Sequence, residues 1–224
     1  MVFNFILRSL VKSIKYNEKV LHLPNDLGGN PYMISKTINQ LGISSSCMVL
    51  SKNPFCKENL YDCFLMREIK RFMCLSYILI YKVIFLNFGS TLFTPFTKYR
   101  FEHESGVIYI KLFMYSMYRY IMHEIDLFLL KLFKSKVIVQ YQGSDCRLKL
   151  FCNNHFDFNR KSFDTYTWHD REVDIFKIKQ IKKIATNIYA LNPDLLHILP
   201  KSAQFLPYSH ICLKEWKPFN YFPS

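Results

Sequence analysis

A chain of 224 residues, half of them hydrophobic, is long enough for one large or two small globular domains, and this composition excludes an intrinsically disordered protein. Its 30 Lys and Arg against 17 Asp and Glu leave a formal charge of +13, which draws a protein toward phosphate-rich partners such as nucleic acid or anionic lipid. The lysines are scattered, and Lys, Asn, Ile, Phe and Tyr share A/T-rich codons, so codon bias is a competing account of the charge.

Met1 to Tyr16 interleaves apolar residues with Arg8, Lys12 and Lys15 and has neither a continuous apolar core nor a small-residue cleavage site, so residues 1–18 read as an extension rather than a signal peptide. Lys19 to Pro24 is a short strand and Asn25 to Pro31 a loop containing Gly28-Gly29. Tyr32 to Leu41 carries Met33, Ile34, Ile38 and Leu41 at helical spacing, with Gly42 as its C-cap, and Ser46 to Leu50 is the next strand. The first fifty residues thus predict a βαβ unit.

Arg67 to Ile80 reads as a helix and Val83 to Phe88 as a buried strand. Phe72 to Phe93 is apolar enough to raise a membrane span, but Lys82 near its middle would cost about 2.5 to 3.5 kcal/mol on insertion scales, so a helix running into a strand is the better reading. Val107 to Phe133 has helical period, with a break expected near His123 to Asp126 and with Tyr109, Phe113, Tyr118 and Phe128 expected in the core. Lys136 to Tyr141 is a continuous apolar run ending at Gly143-Ser144-Asp145, as a strand buried on both faces does. Residues 146–169 read as a long loop with room for one short helix. A helix follows with Val173, Phe176, either Gln180 or Ile181, and Ile184 on its apolar face and Lys177, Lys179, Lys182 and Lys183 elsewhere, either a solvated face or a patch for an anionic surface. Asn187 to Leu191 and Ala203 to Leu206 are two last strands around a helical turn at Asn192-Pro193-Asp194. Strands alternating with helices predict an α/β domain: a Rossmann-like, mostly parallel sheet with helices on both faces.

Seven cysteines with no Cys-x-x-Cys pair fit a reducing, cytoplasmic compartment better than a disulfide framework. Cys146, Cys152 and His155 lack a fourth ligand at suitable spacing, so no metal is expected. Three loops carry the candidate chemistry. Gly28-Gly29 precedes a helix whose N-terminus favours anions, although neither the full dinucleotide-binding glycine spacing nor a P-loop lysine is present, and a purely structural turn is an equal reading. Asn87-Phe88-Gly89-Ser90 and Gln142-Gly143-Ser144-Asp145 both follow strands and so fall on the same edge as the glycine loop. No Gly-x-Ser-x-Gly elbow supports a Ser-His-Asp hydrolase built from Ser144, Asp145 and His169 or His210.

Gly28-Gly29-Asn30-Pro31, the stretch Tyr81 to Ser90, Asp126 to Lys131 leading into Lys136 to Arg147, and Asn192-Pro193-Asp194-Leu195-Leu196 followed by Leu206-Pro207-Tyr208 resemble bacterial family 4-like glycosyltransferases, over roughly residues 19 to 216. The resemblance implies the N-terminal, acceptor-side half of a GT-B enzyme, which transfers a sugar from a nucleotide-sugar to a glycan or lipid-linked acceptor, without bound metal or other cofactor. Residues 19–209 would be this Rossmann-like domain and 210–224 the remnant of an interdomain linker. Substrate-binding positions would be Gly28, Gly29, Asn87, Gly89, Ser90, Gln142, Gly143, Ser144 and Arg147, with Gln142 and Asp145 as the catalytic candidates.

Two departures temper that expectation. The strand that often reads Tyr-Asp-Val-Phe-His-Phe-His-Phe-Gly is Tyr81-Lys82-Val83-Ile84-Phe85-Leu86-Asn87-Phe88-Gly89 here, and Gln142 stands where many relatives place histidine; amides orient hydroxyls but exchange no proton near pH 7. Only 16 residues follow Tyr208, too few for a donor-binding domain, so inactivity of the chain alone is the expectation. The alternative is a non-catalytic module of the same fold on a membrane surface, at the inner face of the plasma membrane, or on a partner chain. Nucleic-acid binding, with lysines on phosphates and tyrosines stacked on bases, ranks third.

Overall fold

The computed structural model describes residues 18–25, 29–48, 50, 64–93, 106–143, 145–146 and 171–207. In chain order these form strand β1 (Val20–Leu23), helix α1 (Asn30–Gln40), β2 (Ser45–Cys47), α2 (Phe64–Ile80), β3 (Val83–Asn87), α3 (Gly106–Leu132), β4 (Lys136–Tyr141), α4 (Arg171–Lys182), β5 (Ala185–Ala190), a 3-10 turn (Pro193–His197) and β6 (Gln204–Phe205). The six strands make one all-parallel sheet in the order β2-β1-β3-β4-β5-β6. This is the α/β, Rossmann-like sheet that the alternating pattern predicts. Every residue of β1 and β3 is buried, as central strands of a sheet covered on both faces must be.

Alternation along the strands sorts the core into two layers. Leu21, Ile84, Leu86, Val137, Val139 and Ile188 point to the side where Cys74 and Ile78 of α2, Leu130 of α3 and Ile181 of α4 close over them. Val20, Val83, Phe85, Ile138 and Tyr189 point the other way, against Ile34 and Ile38 of α1. Local signals set the ends of α1. Gly29 at its N-cap holds φ 75°, Pro31 occupies the first turn, and Gly42 at φ 81° lets the Gly42 and Ile43 amides donate to Asn39 and Ile38.

Helices α2 and α3 are joined by a buried ionic cluster. Glu68 is paired with Arg71, lies 3.7 Å from the buried Arg119, and accepts hydrogen bonds from the Tyr115 and Tyr118 hydroxyls at 2.8 and 3.0 Å. Arg71 also donates to the Leu92 carbonyl, in the segment that leaves β3. From α3, Asp126 accepts from the Phe93 and Leu92 amides and the Thr91 hydroxyl. Because that hydroxyl proton is spent on Asp126, the 2.8 Å contact between Thr91 and His123 Nδ1 needs the tautomer that carries its proton on Nδ1.

Two expectations about α3 are corrected here. The helix runs unbroken from Gly106 to Leu132, since His123 and Asp126 satisfy their polarity by turning inward to the Thr91–Phe93 segment. The aromatics Tyr109, Phe113 and Phe128 lie on the solvent side, 44 to 61% exposed, and Tyr118 is half-buried. Only the side of α3 carrying Arg119, His123, Asp126, Leu127 and Leu130 packs inward, and a helix on a sheet has only one such side. The apolar stretch around Lys82 divides into α2 and β3, and no helix among the described residues is long and apolar enough to cross a membrane. In α4 the buried residues are Ile178 and Ile181, so Ile178 joins the expected face, while the side chains of Val173 and Phe176 lie outside the described residues.

These placements separate two apolar residue classes. Ile84→Ala, in the fully buried centre of β3, is expected to lower unfolding free energy by about 3 kcal/mol, whereas Phe113→Ala should stay within about 0.5 kcal/mol of wild type. Urea unfolding of the two variants measures the difference; an equal loss in both would place Phe113 in the core.

Candidate functional site

Strand β1 pairs with β2 on one side and β3 on the other, so the chain reverses its direction of travel across the sheet between β1 and β3. Open parallel sheets bind ligands in the crevice this reversal leaves at the strands' carboxyl ends. The structure brings three of the sequence-selected loops to that edge: Gly29 leading into α1, Asn87–Ser90 after β3, and Gln142–Asp145 after β4. Gly28, Ser144 and Arg147 lie outside the described residues.

The edge is stitched by backbone-directed hydrogen bonds. Asn87 Nδ2 donates to the Leu23 carbonyl of β1 at 3.1 Å, the Gly89 amide to Gln140 at 3.1 Å, the Leu191 amide to Tyr141 at 2.9 Å, and Asn192 Nδ2 to the Gln142 carbonyl. Ser90 donates from its hydroxyl to the Phe88 carbonyl at 2.8 Å, within a turn where Phe88 and Gly89 both hold positive φ, 57° and 49°. That turn lies against β4: a Cβ placed on Gly89 would stand 2.2 Å from Tyr141 Cε1. Gly29 differs, since a Cβ there meets nothing within 4 Å.

Asp145 turns its carboxylate back onto its own loop, accepting from the Gln142 and Gly143 amides at 3.0 and 2.7 Å. Burial nevertheless pushes its pKa up to about 6, so desolvation outweighs those donors. In this position the carboxylate orients the Gln142–Asp145 loop, and Gln142 presents a buried amide at its start.

Beside these loops lies a second set of groups, of which the sequence reading named Asn87 and passed over His22, Asn30 and Gln140 as site residues. His22 of β1, Asn87 of β3 and Gln140 of β4 share the α1 side of the sheet with Val20, Phe85 and Ile138, by strand alternation, and Asn30 opens α1 above them. All four are buried to within 1%. Both ring nitrogens of His22, both amide atoms of Asn30 and of Gln140, and Oδ1 of Asn87 have no hydrogen-bond partner among the described residues. Asn87 and Gln140 stand directly opposite in the β3–β4 register. His22 stacks on Phe85 with centroids 4.6 Å apart, and burial lowers its pKa to about 3, so the ring is neutral at physiological pH. The signal was present in the sequence: a polar residue inside a strand read as buried on both faces needs a partner.

No protein-family model and no curated protein matches this chain. Function therefore has to be argued from the site. Among the described residues no group of three His, Cys, Asp or Glu is placed to hold a metal ion; Cys146 is buried and in no disulfide, while Cys152 and His155 lie outside the described residues. An open groove of about 520 Å³ between α1 and β2, lined by Tyr32, Ser35, Lys36, Asn39 and Ser45 among others, is at the outer edge of the sheet. Of its polar residues, Ser35, Asn39 and Ser45 are engaged with one another, Ser45 Oγ with Ser35 Oγ at 2.9 Å and Asn39 with the Ser45 backbone at 2.7 and 2.8 Å.

Gly89→Ala combines left-handed backbone with overlap of a buried ring, and is expected to destabilise by about 2 to 4 kcal/mol. Gly29→Ala meets open space and should cost only the conformational part, about 1 to 2 kcal/mol; thermal or urea unfolding compares them, and equal losses would remove the Tyr141 contact from the account.

His22 gives a pH-dependent expectation. Between pH 6.5, where an unfolded histidine titrates, and about 3, where His22 titrates in the fold, only the unfolded chain takes up the proton, so acidification destabilises the native state. His22→Phe should be as stable as wild type or more so at pH 7 and should lose less stability on going to pH 5. Asp126 and Asp145, both raised to about 6 by burial, act in the opposite sense in both proteins and cancel in the comparison. Parallel pH-stability curves for the two proteins would show that His22 is protonated equally in folded and unfolded chains.

Proposed function

We propose that this chain is the acceptor-side half of a nucleotide-sugar-dependent glycosyltransferase, holding a neutral, hydroxyl-rich glycan or lipid-linked sugar at the β1–β3 crevice. The observation that carries this reading is the uncharged buried set His22, Asn30, Asn87 and Gln140 next to the three loops. Each unmatched polar atom in such a place costs about 1 to 3 kcal/mol, a penalty that a ligand able to hydrogen-bond would relieve. Asn and Gln present both donors and acceptors, and so does a sugar hydroxyl; phosphate oxygens match only the donors. No lysine or arginine belongs to the set. The reading therefore assigns the nucleotide diphosphate to a second domain of the kind the sequence resemblance implies, and the acceptor sugar to this one.

Within this reading Asn87 and Gln140 bind hydroxyls, Asp145 fixes the loop that carries Gln142, and the Gly89 turn sets the wall facing Tyr141. Domain closure then excludes water and aligns acceptor and donor.

Calorimetry or ligand-observed NMR with oligosaccharides, and with UDP- and GDP-sugars, tests the assignment. Glycan binding weakened about tenfold by Gln140→Leu, the loss of roughly one hydrogen bond, is the expected result, together with little nucleotide-sugar affinity and no sugar transfer by the chain alone. Tight nucleotide-sugar binding, or glycan binding indifferent to both Gln140→Leu and Asn87→Ala, would overturn it.

A further inference from the structure

The solvent side of α3 is its least polar side. Val107, Ile110, Met114, Met117, Ile121, Ile125 and Phe128 recur every three or four residues and are each 40 to 67% exposed, and Leu132 extends the line. At 1.5 Å per residue the strip from Val107 to Leu132 is roughly 38 Å long. It lies opposite Arg119, His123, Asp126 and Leu130, which face the sheet. Helix α2, packed beside α3 through Glu68, adds the exposed Phe72 and Met73. Contiguous apolar surface of this extent on a soluble domain marks an interaction site.

Charge identifies the occupant. The strip itself contains no charged residue, but exposed Lys111 flanks it near one end and exposed Lys131 and Lys134 at the other, beside Lys82 on the adjoining strand entry. The exposed acidic residue of α3, Glu124, is turned to Gln180 of α4. Two copies meeting through this face would bring like charges together, whereas nucleic acid would meet hydrocarbon where it needs cations. The crevice for the glycan is at the carboxyl edge of the sheet, leaving the outer face of the helix layer free of that role.

We infer that the outer face of α3, with the adjoining part of α2, docks in the plane of an anionic lipid bilayer, its apolar strip in the acyl boundary and its lysines among the headgroups. An in-plane helix with an apolar face and flanking lysines binds a membrane without crossing it. The inference rests on α3 and is independent of the transferase reading: vesicle binding and glycan binding are separate measurements with separate variants.

Flotation of the full chain with phosphatidylcholine vesicles, with and without phosphatidylglycerol, is the test. Binding is expected only to the anionic vesicles. The pair Met117→Glu and Ile121→Glu, both at exposed sites, should weaken it at least about tenfold with an unchanged circular dichroism spectrum and melting temperature. Replacing Lys111, Lys131 and Lys134 by Gln should weaken it by a factor of about five per lysine. Absence of binding to anionic vesicles overturns the inference. So does loss of binding on replacing Lys177, Lys179, Lys182 and Lys183 of α4 by Gln while the α3 variants bind normally. A dimer that Met117→Glu and Ile121→Glu dissociate, without vesicle binding by wild type, would make the face a contact between copies.

Discussion

The helix layer on one side of the sheet closes around the carboxylate of Glu68. Two arginines and two tyrosine hydroxyls converge on it from α2 and α3, and Arg71 carries the connection on to the Leu92 carbonyl beyond β3. Removing one partner from such a group leaves buried charge uncompensated, which commonly costs about 3 to 5 kcal/mol. The cluster therefore fixes more than the contact between two helices. With Asp126 and His123 it holds Thr91 to Phe93 in place, and so determines where the Asn87–Ser90 turn projects from the sheet.

The same cluster explains how α3 can be apolar outside. Polar residues of an ordinary surface helix face water; here Arg119, His123 and Asp126 are drawn inward to satisfy Glu68 and the post-β3 segment. Arg119 also stacks over Phe93 and Tyr115, 5.7 and 6.0 Å from the ring centroids. The residues left for the outer side are Val, Ile, Met and Phe. An amphipathic assignment that sends polar residues to solvent would invert this helix, and Tyr109, Phe113 and Phe128, expected in the core, lie on its outer side.

Much of the fold was legible because its strands are short apolar runs with glycine or asparagine at their ends. Lys136 to Tyr141 was read to the residue, and Val20–Leu23 and Val83–Asn87 each to within one residue at either end. The sheet edge was legible too: loops that follow parallel strands must gather at one edge. What the sequence did not display was pairing at a distance. Nothing near His123 indicates that Thr91, 32 residues earlier, will meet its ring, and without that partner the polar pair His123 and Asp126 reads as a helix break. Gln140 and His22 escaped for a different reason, since each is a single polar residue within an apolar run and periodicity averages it away.

The two sides of the sheet thus treat buried polarity in opposite ways. On the α2–α3 side, the buried Glu68 carboxylate is matched by charge and hydroxyl, with four partners on three positions of α3 and one of α2, and His123 Nε2 is left without a hydrogen-bond partner among the described residues. On the α1 side, His22, Asn30, Asn87 and Gln140 bring no formal charge at neutral pH, and the atoms left unmatched cluster near the carboxyl edge. A stability-optimised sheet would place apolar residues at those positions, as β1 and β4 do at Leu21 and Val139. Unmatched neutral polarity is poorly suited to holding a fold together and well suited to a ligand that supplies the missing hydrogen bonds, which is why the proposed acceptor site is assigned to the side of the sheet that the ionic cluster leaves alone.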